Sequence, residues 1–386
     1  MTLYLDCNAS TPIDPRVLAG MIRCYEQDYG NAGSPHEYGQ RAKQAVQQSR
    51  DRIAAIVAAR RHEVIFTSGA TESNNLTLLG LASHGEKSGK RHLVSTQIEH
   101  RAVLEPLAVL RRRGFEVTLV TPRSNGAVNA DEVVDAVRDD TLLVSVMHVN
   151  NETGVCQPIA EIAEALQHSD TLLHVDAAQG FGKQLAPLRH QRIDLISVSG
   201  HKIHGPQGIG ALIARRRHGR LPPIAPLFFG GGQEMELRPG TLPVPLIVGL
   251  GMAAEFAASE HLARAADCQR LKDQLLPRIM RLSPMIHGDP KLSLPHTLNV
   301  SFPGFDADQV IQTLWRVAAV SDGSACTSVC ATASHVLAAM GVAPPALDGA
   351  VRISWSHLVP LGQFINTVDE LVCRLNRAQL SERQSE

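Results

Sequence analysis

The chain lacks any run of about 18 apolar residues, so no membrane span is expected. It also lacks a charge bias. Its 37 Lys and Arg face 38 Asp and Glu, a formal net charge of -1. That balance gives no general attraction to a nucleic-acid backbone, so direct nucleic-acid binding is not expected. The basic clusters Arg111-Arg112-Arg113 and Arg215-Arg216-Arg217 are local and read as solvent-facing ends of elements. The seven cysteines include no CxxC pair, which suits a reducing, cytoplasmic compartment better than a disulfide framework. No Cys/His quartet has finger-like spacing despite 17 histidines, so no metal site is expected. The start, Met1-Thr2-Leu3-Tyr4-Leu5-Asp6, has neither a basic nor an apolar leader region, so no signal peptide is expected.

What is present is a strand-helix alternation over the first 250 or so of the 386 residues. Apolar positions 42, 45, 46, 53, 56 and 57 lie on one helical face between Glu37 and Ala58. Short apolar runs at 63–67, 92–96, 116–120, 142–146, 172–175 and 193–198 read as strands, with helical patterns at 102–112, 130–138 and 159–167 between them. Near-continuous apolar strands alternating with helices imply an α/β fold with a mostly parallel sheet covered on both faces. An Ala-rich helical stretch, 247–276, leads into a smaller α+β unit with strands at 297–302 and 349–354 and helices at 306–315, 333–340 and 361–375.

One lysine stands out. Lys202, in Ser199-Gly200-His201-Lys202-Ile203-His204-Gly205, follows a buried strand and enters a glycine-rich turn. Amines that form Schiff bases are held in such places. Asp176, in His174-Val175-Asp176-Ala177-Ala178-Gln179, ends an earlier apolar strand about one helix-strand unit before it. A buried carboxylate needs a cation, and a protonated pyridine nitrogen would serve. A Schiff-base lysine with an acid for a pyridinium is what pyridoxal 5'-phosphate requires. The segment Thr67-Ser68-Gly69-Ala70-Thr71-Glu72-Ser73-Asn74 follows a strand and opens a helix, a turn suited to a phosphate, although a capping box alone would explain Thr71 and Asn74. Ser199 and His201 are placed to reach the same phosphate. His100 follows another strand end and is placed to stack on the pyridine face and exchange protons there. Asn151 and Gln179 are candidates to hydrogen-bond the ring's phenolic oxygen.

Taken in order, SGATESNN, IEHRAV, HVNNETG, HVDAAQG, SVSGHKIHGPQG, RPGTLPVPLI, DGSACTS and VRISWS resemble the NifS/IscS class of cysteine desulfurases, which are pyridoxal-phosphate enzymes of fold type I. The resemblance runs from Leu3 to about Leu375. Segments 29–39, 230–234 and 237–246 are most similar to the desulfurase of the DNA phosphorothioation (Dnd) system. The resemblance implies a large cofactor domain with a seven-stranded sheet (15–260) and a small domain (1–14 with 261–386) carrying a nucleophilic cysteine loop. It implies Cys326 as sulfur acceptor and Arg352 as holder of the substrate carboxylate. Ala70, Thr71, Ser199 and His201 become phosphate contacts, and Thr241 completes the phosphate site from a second subunit, hence a homodimer. His100, Asp176 and Gln179 become ring contacts, and Asn151 a ring or substrate contact. L-cysteine is then the substrate and a sulfur-acceptor protein the partner.

Two departures stand out. Cys330 follows Cys326 by one helical turn, where a small residue is commoner, and it reads as an incidental thiol or as a resolving one. Trp355-Ser356-His357-Leu358 departs from the commoner pattern after Arg352 and alters how the carboxylate pocket is lined. Other readings of the same pattern are an iron-sulfur housekeeping desulfurase, a selenocysteine lyase, an aminotransferase and an inactive scaffold.

Overall fold

A computed structural model of the chain describes residues 2–322 and 333–383. A seven-stranded sheet forms its centre. In spatial order its strands are Val64–Thr67, Gly210–Ala214, Leu195–Ser199, Leu172–Asp176, Thr141–Met147, His92–Thr96 and Glu116–Val120. All run parallel except Gly210–Ala214, which is antiparallel to both of its neighbours. The run Gly210-Ala211-Leu212-Ile213-Ala214 was not read as a strand from sequence, because it follows directly on the glycine-rich turn.

Alternate residues of each strand enter different cores, the period expected of a pleated strand. Val64, Phe66, Ile196 and Val198 face one core, shared with the helices Pro15–Gln27 and Glu37–Ile56. Ile65, Leu195 and Leu212 face the other, shared with the helices Ala70–Gly80 and Arg101–Arg112. Both faces are buried, which is why the strands read as continuous apolar runs. Each fully buried Val, Ile or Leu contributes roughly 1.5–3 kcal/mol to this arrangement.

A third core joins Leu3 and Leu5 to residues between Cys268 and Leu375, around an antiparallel sheet of Met285–His287, Thr297–Ser301 and Ala350–Ser354. The helix Val244–Ile279 belongs to two cores: Ile247, Leu250 and Ala257 to the large-sheet core, Leu271, Leu275 and Ile279 to the third. Among the described residues it is long and apolar enough, by length and composition alone, to cross a membrane. No such stretch was expected; the apolarity reflects membership of two cores, with Ile247, Leu250 and Leu275 fully buried.

One sequence expectation is corrected. Arg215 does not face solvent: it is buried and donates to the carbonyls of Val57, Leu188, His190 and Ile193. A guanidinium can be buried when its N–H groups meet acceptors, and here it ties its own strand end to Val57 and to the 188–193 segment.

Candidate active site

Asp176 is the last residue of its strand, and Lys202 closes a short 3-10 turn, Gly200–Lys202, just past the end of the next. The two strands are parallel neighbours, so both side chains arrive at one edge of the sheet. Ligands of open α/β sheets bind at that edge. The turn needs glycine at 200, where a Cβ would lie 2.8 Å from the Pro206 carbonyl oxygen. Gly210 is needed for a different reason. A Cβ there would lie 2.6 Å from the Gly69 Cα, so only glycine lets the returning strand pass under the 67–71 turn.

These elements enclose a cavity of about 490 Å³. Ala70 and Thr71 line it from the start of the Ala70–Gly80 helix, and Ser199 and His201 from the lysine turn. His100, Asn151, Gln179 and Arg352 join Asp176 and Lys202 in its wall. Asp176 is the one carboxylate among the described lining residues. Its Oδ2 accepts from Asn74 Nδ2 at 2.7 Å and its Oδ1 from the Ala178 N–H at 3.0 Å. Both donors are neutral, and Asp176 is buried. No side chain caps the Ala70–Gly80 helix, and no capping box forms there, since Gly69 is the N-cap residue. Its first amides therefore lack the side-chain oxygen that an N-cap normally offers them.

Lys202 Nζ donates to the carbonyls of Asn8 and Ala9, in the N-terminal segment. His201 Nδ1 lies 3.2 Å from Ser10 Oγ. Burial, with Lys202 and Lys183 nearby, pushes the His201 imidazole down to about 4. At neutral pH it offers a hydrogen bond rather than a charge. His100 is the N-cap of the Arg101–Arg112 helix: its Nδ1 accepts from the Ala102 N–H at 3.1 Å, which leaves Nε2 to carry the proton of the neutral ring. Gln179 donates from Nε2 to the Asn8 carbonyl at 2.9 Å.

Arg352 does not present an open fork. Its Nη2 donates to Asp6 Oδ1 at 2.7 Å and its Nη1 to the Asn151 carbonyl at 3.0 Å, while its buried Nε has no partner among the described residues. Thr241 is exposed and lies outside the wall of this cavity. Trp355, Ser356 and His357 do not line it either. Cys326 and Cys330 lie outside the described residues.

Several residues here carried no sequence signal of their own. Asn8 and Ser10 reach the cavity from the far N-terminus. Asn74 holds Asp176 rather than capping its own helix. Glu99 and Glu152 stand beside residues that were singled out. Glu99 Oε1 accepts from Thr96 Oγ1 and the Met147 N–H, its Oε2 has no partner among the described residues, and burial pushes the carboxyl up to about 8. Burial pushes Glu152 up to about 7, with Ser334 Oγ donating to it. His335 Nε2 lies 2.9 Å from the Glu99 carbonyl oxygen. Among the described residues no group of three or more His, Cys, Asp or Glu could hold a metal ion.

This geometry suits one kind of group. A buried carboxylate that meets only neutral donors among the described residues, an amine on a short turn and an uncapped helix start call for a ligand with a cationic ring nitrogen, an aldehyde and a phosphate. Comparison with known proteins agrees. The class-V aminotransferase family matches residues 3–359. The cysteine desulfurase IscS of Enterobacter sp. (strain 638) is 43% identical over 369 residues, spanning 94% of this chain and 89% of its own. A solved NifS-like protein superposes with a TM-score of 0.90 at 37% identity, covering 97% of this chain and 100% of its own. DndA from Streptomyces lividans superposes with a TM-score of 0.80 at 48% identity, covering 90% of this chain and 98% of its own.

The chain therefore belongs to the class-V aminotransferase family, with the fold of its pyridoxal-phosphate enzymes. Within that family it is a pyridoxal-phosphate-dependent cysteine desulfurase of the NifS/IscS class.

Proposed function

We propose that the chain takes sulfur from L-cysteine onto Cys326 and passes it to an acceptor protein serving DNA phosphorothioation. The desulfurase chemistry is assigned to the cavity at the sheet edge, and one observation supports this above all: Lys202 and Asp176 line the same cavity, with Asp176 its only described carboxylate. When bound there, pyridoxal phosphate supplies an electron-poor ring that stabilises negative charge at the substrate Cα.

The chain's own residues do the rest. Asp176 would pair with the ring nitrogen and keep it protonated. The uncapped Ala70–Gly80 helix, Thr71, Ser199 and neutral His201 would hold the phosphate by hydrogen bonds. Gln179 and Asn151 would orient the ring and substrate. His100, fixed through Nδ1, moves a proton at the substrate sulfur. Arg352 holds the substrate carboxylate with the N–H groups that Asp6 and Asn151 leave over. Lys202, released from the Asn8 and Ala9 carbonyls, takes the proton from the substrate Cα.

The Cys326 thiolate then attacks the substrate sulfur. An S–S bond forms as the Cβ–S bond breaks, and the proton lost by the thiol ends on the product alanine. Cysteine plus thiol becomes alanine plus persulfide, with no outside oxidant. The purified holoenzyme should be yellow and convert cysteine to alanine. Cys326→Ala should abolish persulfide formation on the protein, and sulfide release at the normal rate from that variant would overturn the assignment.

We assign residues 15–260 to the cofactor domain and 1–14 with 261–386 to the small one, a division supported by the shared core of Leu3, Leu5 and the C-terminal third. A homodimer is supported by exposed Phe228 and Phe229, which lie on the same folded loop as Thr241. The phosphorothioation role is supported by 48% identity to DndA from Streptomyces lividans. The 43% identity to IscS of Enterobacter favours the second reading, a housekeeping role in iron-sulfur assembly. Deleting the gene in its host separates them. Loss of phosphorothioate dinucleotides from digested DNA supports the first. Intact phosphorothioation with depressed iron-sulfur enzyme activity supports the second.

A further inference from the structure

Lys202 stands in the wall of a second cavity as well, of about 370 Å³. It lies beside the Val244–Ile279 helix, the segment 291–296 and the turn at 355–357. Four cations line it: Lys183, Lys202, Arg264 and Lys291. So do the imidazoles of His204, His261, His296 and His357. Among the described residues of its wall there is no aspartate or glutamate.

Arg264 is already balanced, by Glu260 at 2.7 Å and Asp14 at 3.7 Å. No carboxylate pairs with Lys183 among the described residues. Its Nζ lies 3.4 Å from Gln179 Oε1 and 3.2 Å from His296 Nε2. The residue is half-buried and lines the cavity. Burial first, and then Lys202, push its ammonium down to about 8. An enclosed ammonium is costly unless an anion meets it. Burial and neighbouring cations also hold His204, His296 and His357 low, so near neutral pH these rings are hydrogen-bonding partners without charge. The remaining wall is mixed: Thr11, Gln184, Ser293 and Ser356 are polar, and Ala257, Leu294 and Trp355 give it an apolar part. The Trp355 indole N–H is already engaged by the Cys268 carbonyl at 3.0 Å.

We propose that this second cavity binds a small monocarboxylate, its charge against Lys183 and a short apolar tail against Ala257, Leu294 and Trp355. The wall carries cations and no carboxylate among its described residues, so it matches a ligand of negative charge, with Lys183 the most enclosed of its lysines. A free amino acid is disfavoured, because its own ammonium would face the wall's cations. The volume lies at the small end of ligand sites. Lys183 also touches Gln179, so a bound anion lies one contact away from the cofactor cavity.

The test is calorimetric titration of the holoenzyme with butyrate, and with butylamine as the charge-reversed control. Saturable binding of butyrate and none of butylamine is expected. Lys183→Met should weaken it about ten-fold or more, whereas Arg352→Gln should leave it within about two-fold. If Lys183→Met does not fold, Ala265→Leu, which fills the cavity from the long helix, should abolish binding in its place. Absence of saturable binding overturns the proposal. So does butyrate affinity that survives Lys183→Met or Ala265→Leu, or that vanishes in Arg352→Gln, since the carboxylate would then sit in the substrate site.

Discussion

The two cavities that share Lys202 differ in how their charge is balanced. The cofactor cavity holds both signs: the Asp176 carboxylate, the Lys202 amine and the uncapped start of the Ala70–Gly80 helix. A ligand that satisfies it must carry a cation and an anion at separate points, as pyridoxal phosphate does. The second cavity has cations and no carboxylate among its described walls. A ligand that satisfies it needs a single negative charge. The lesson is that sign pattern, more than size, separates two neighbouring sites built around one residue.

The largest effect should come from removing the shared residue. Lys202→Ala should lower cysteine turnover by about 10²–10⁴-fold, as loss of a positioned proton carrier does. Alanine formation under saturating cysteine measures it, and a near-normal rate would break the link between the lysine and the chemistry. Next is Asp176→Asn, which leaves the cofactor cavity with no carboxylate in its described wall. It should weaken cofactor binding by about 2–5 kcal/mol, read by titrating apoenzyme with pyridoxal phosphate. Unchanged affinity would mean that the cavity's two-sign character does no binding.

A smaller effect concerns the carboxyl behind that cavity. Glu99 is raised from its ordinary 4.5 to about 8, mainly by burial. The folded chain then holds this proton more tightly than the unfolded chain does. The resulting stabilisation is full below the ordinary value and is lost as pH rises to about 8. Glu99→Gln should flatten that decline in denaturant midpoints, which is worth up to about 1.4 kcal/mol per pH unit. A wild-type profile that does not fall between about pH 5 and 8 would show Glu99 ionised in the native state. The smallest effect is expected at Cys7 and Cys268, two of the three thiols that line the second cavity. Burial pushes Cys7 and Cys268 up to about 12, so both are protonated and poor nucleophiles. Cys7→Ala and Cys268→Ala should change turnover less than about two-fold. A larger fall would mean that sulfur passes through the second cavity and would dissolve the distinction between the two.

The sequence made the cofactor cavity legible where chemistry and local pattern coincide. Asp176 ends one apolar strand, Lys202 follows just past the end of its neighbour, and both faces of the sheet are buried, so periodicity and motif point to one edge. Residues whose role depends on distant partners stayed silent. Asn8 joins the site through the fold alone, and Lys183 looks like an ordinary surface lysine until the helix and the 291–296 segment close around it. The hold of Asp6 on Arg352 bridges the two ends of the chain, which no local pattern encodes. Trp355 and His357 sit next to Arg352 in sequence yet face the other cavity, because successive residues beyond a strand need not share a side.

The helix Val244–Ile279 has 36 residues and is therefore about 54 Å long. One end is embedded in the core beneath the large sheet and the other in the core behind Arg352. It acts as a lever with both ends clamped. A tilt of five degrees would carry its far end on the order of 5 Å, given that length. Any rearrangement that brings the two units closer must therefore rotate this rod or bend it, and the stretch between its clamps, from Ala257 to Cys268, is the stretch that walls the second cavity.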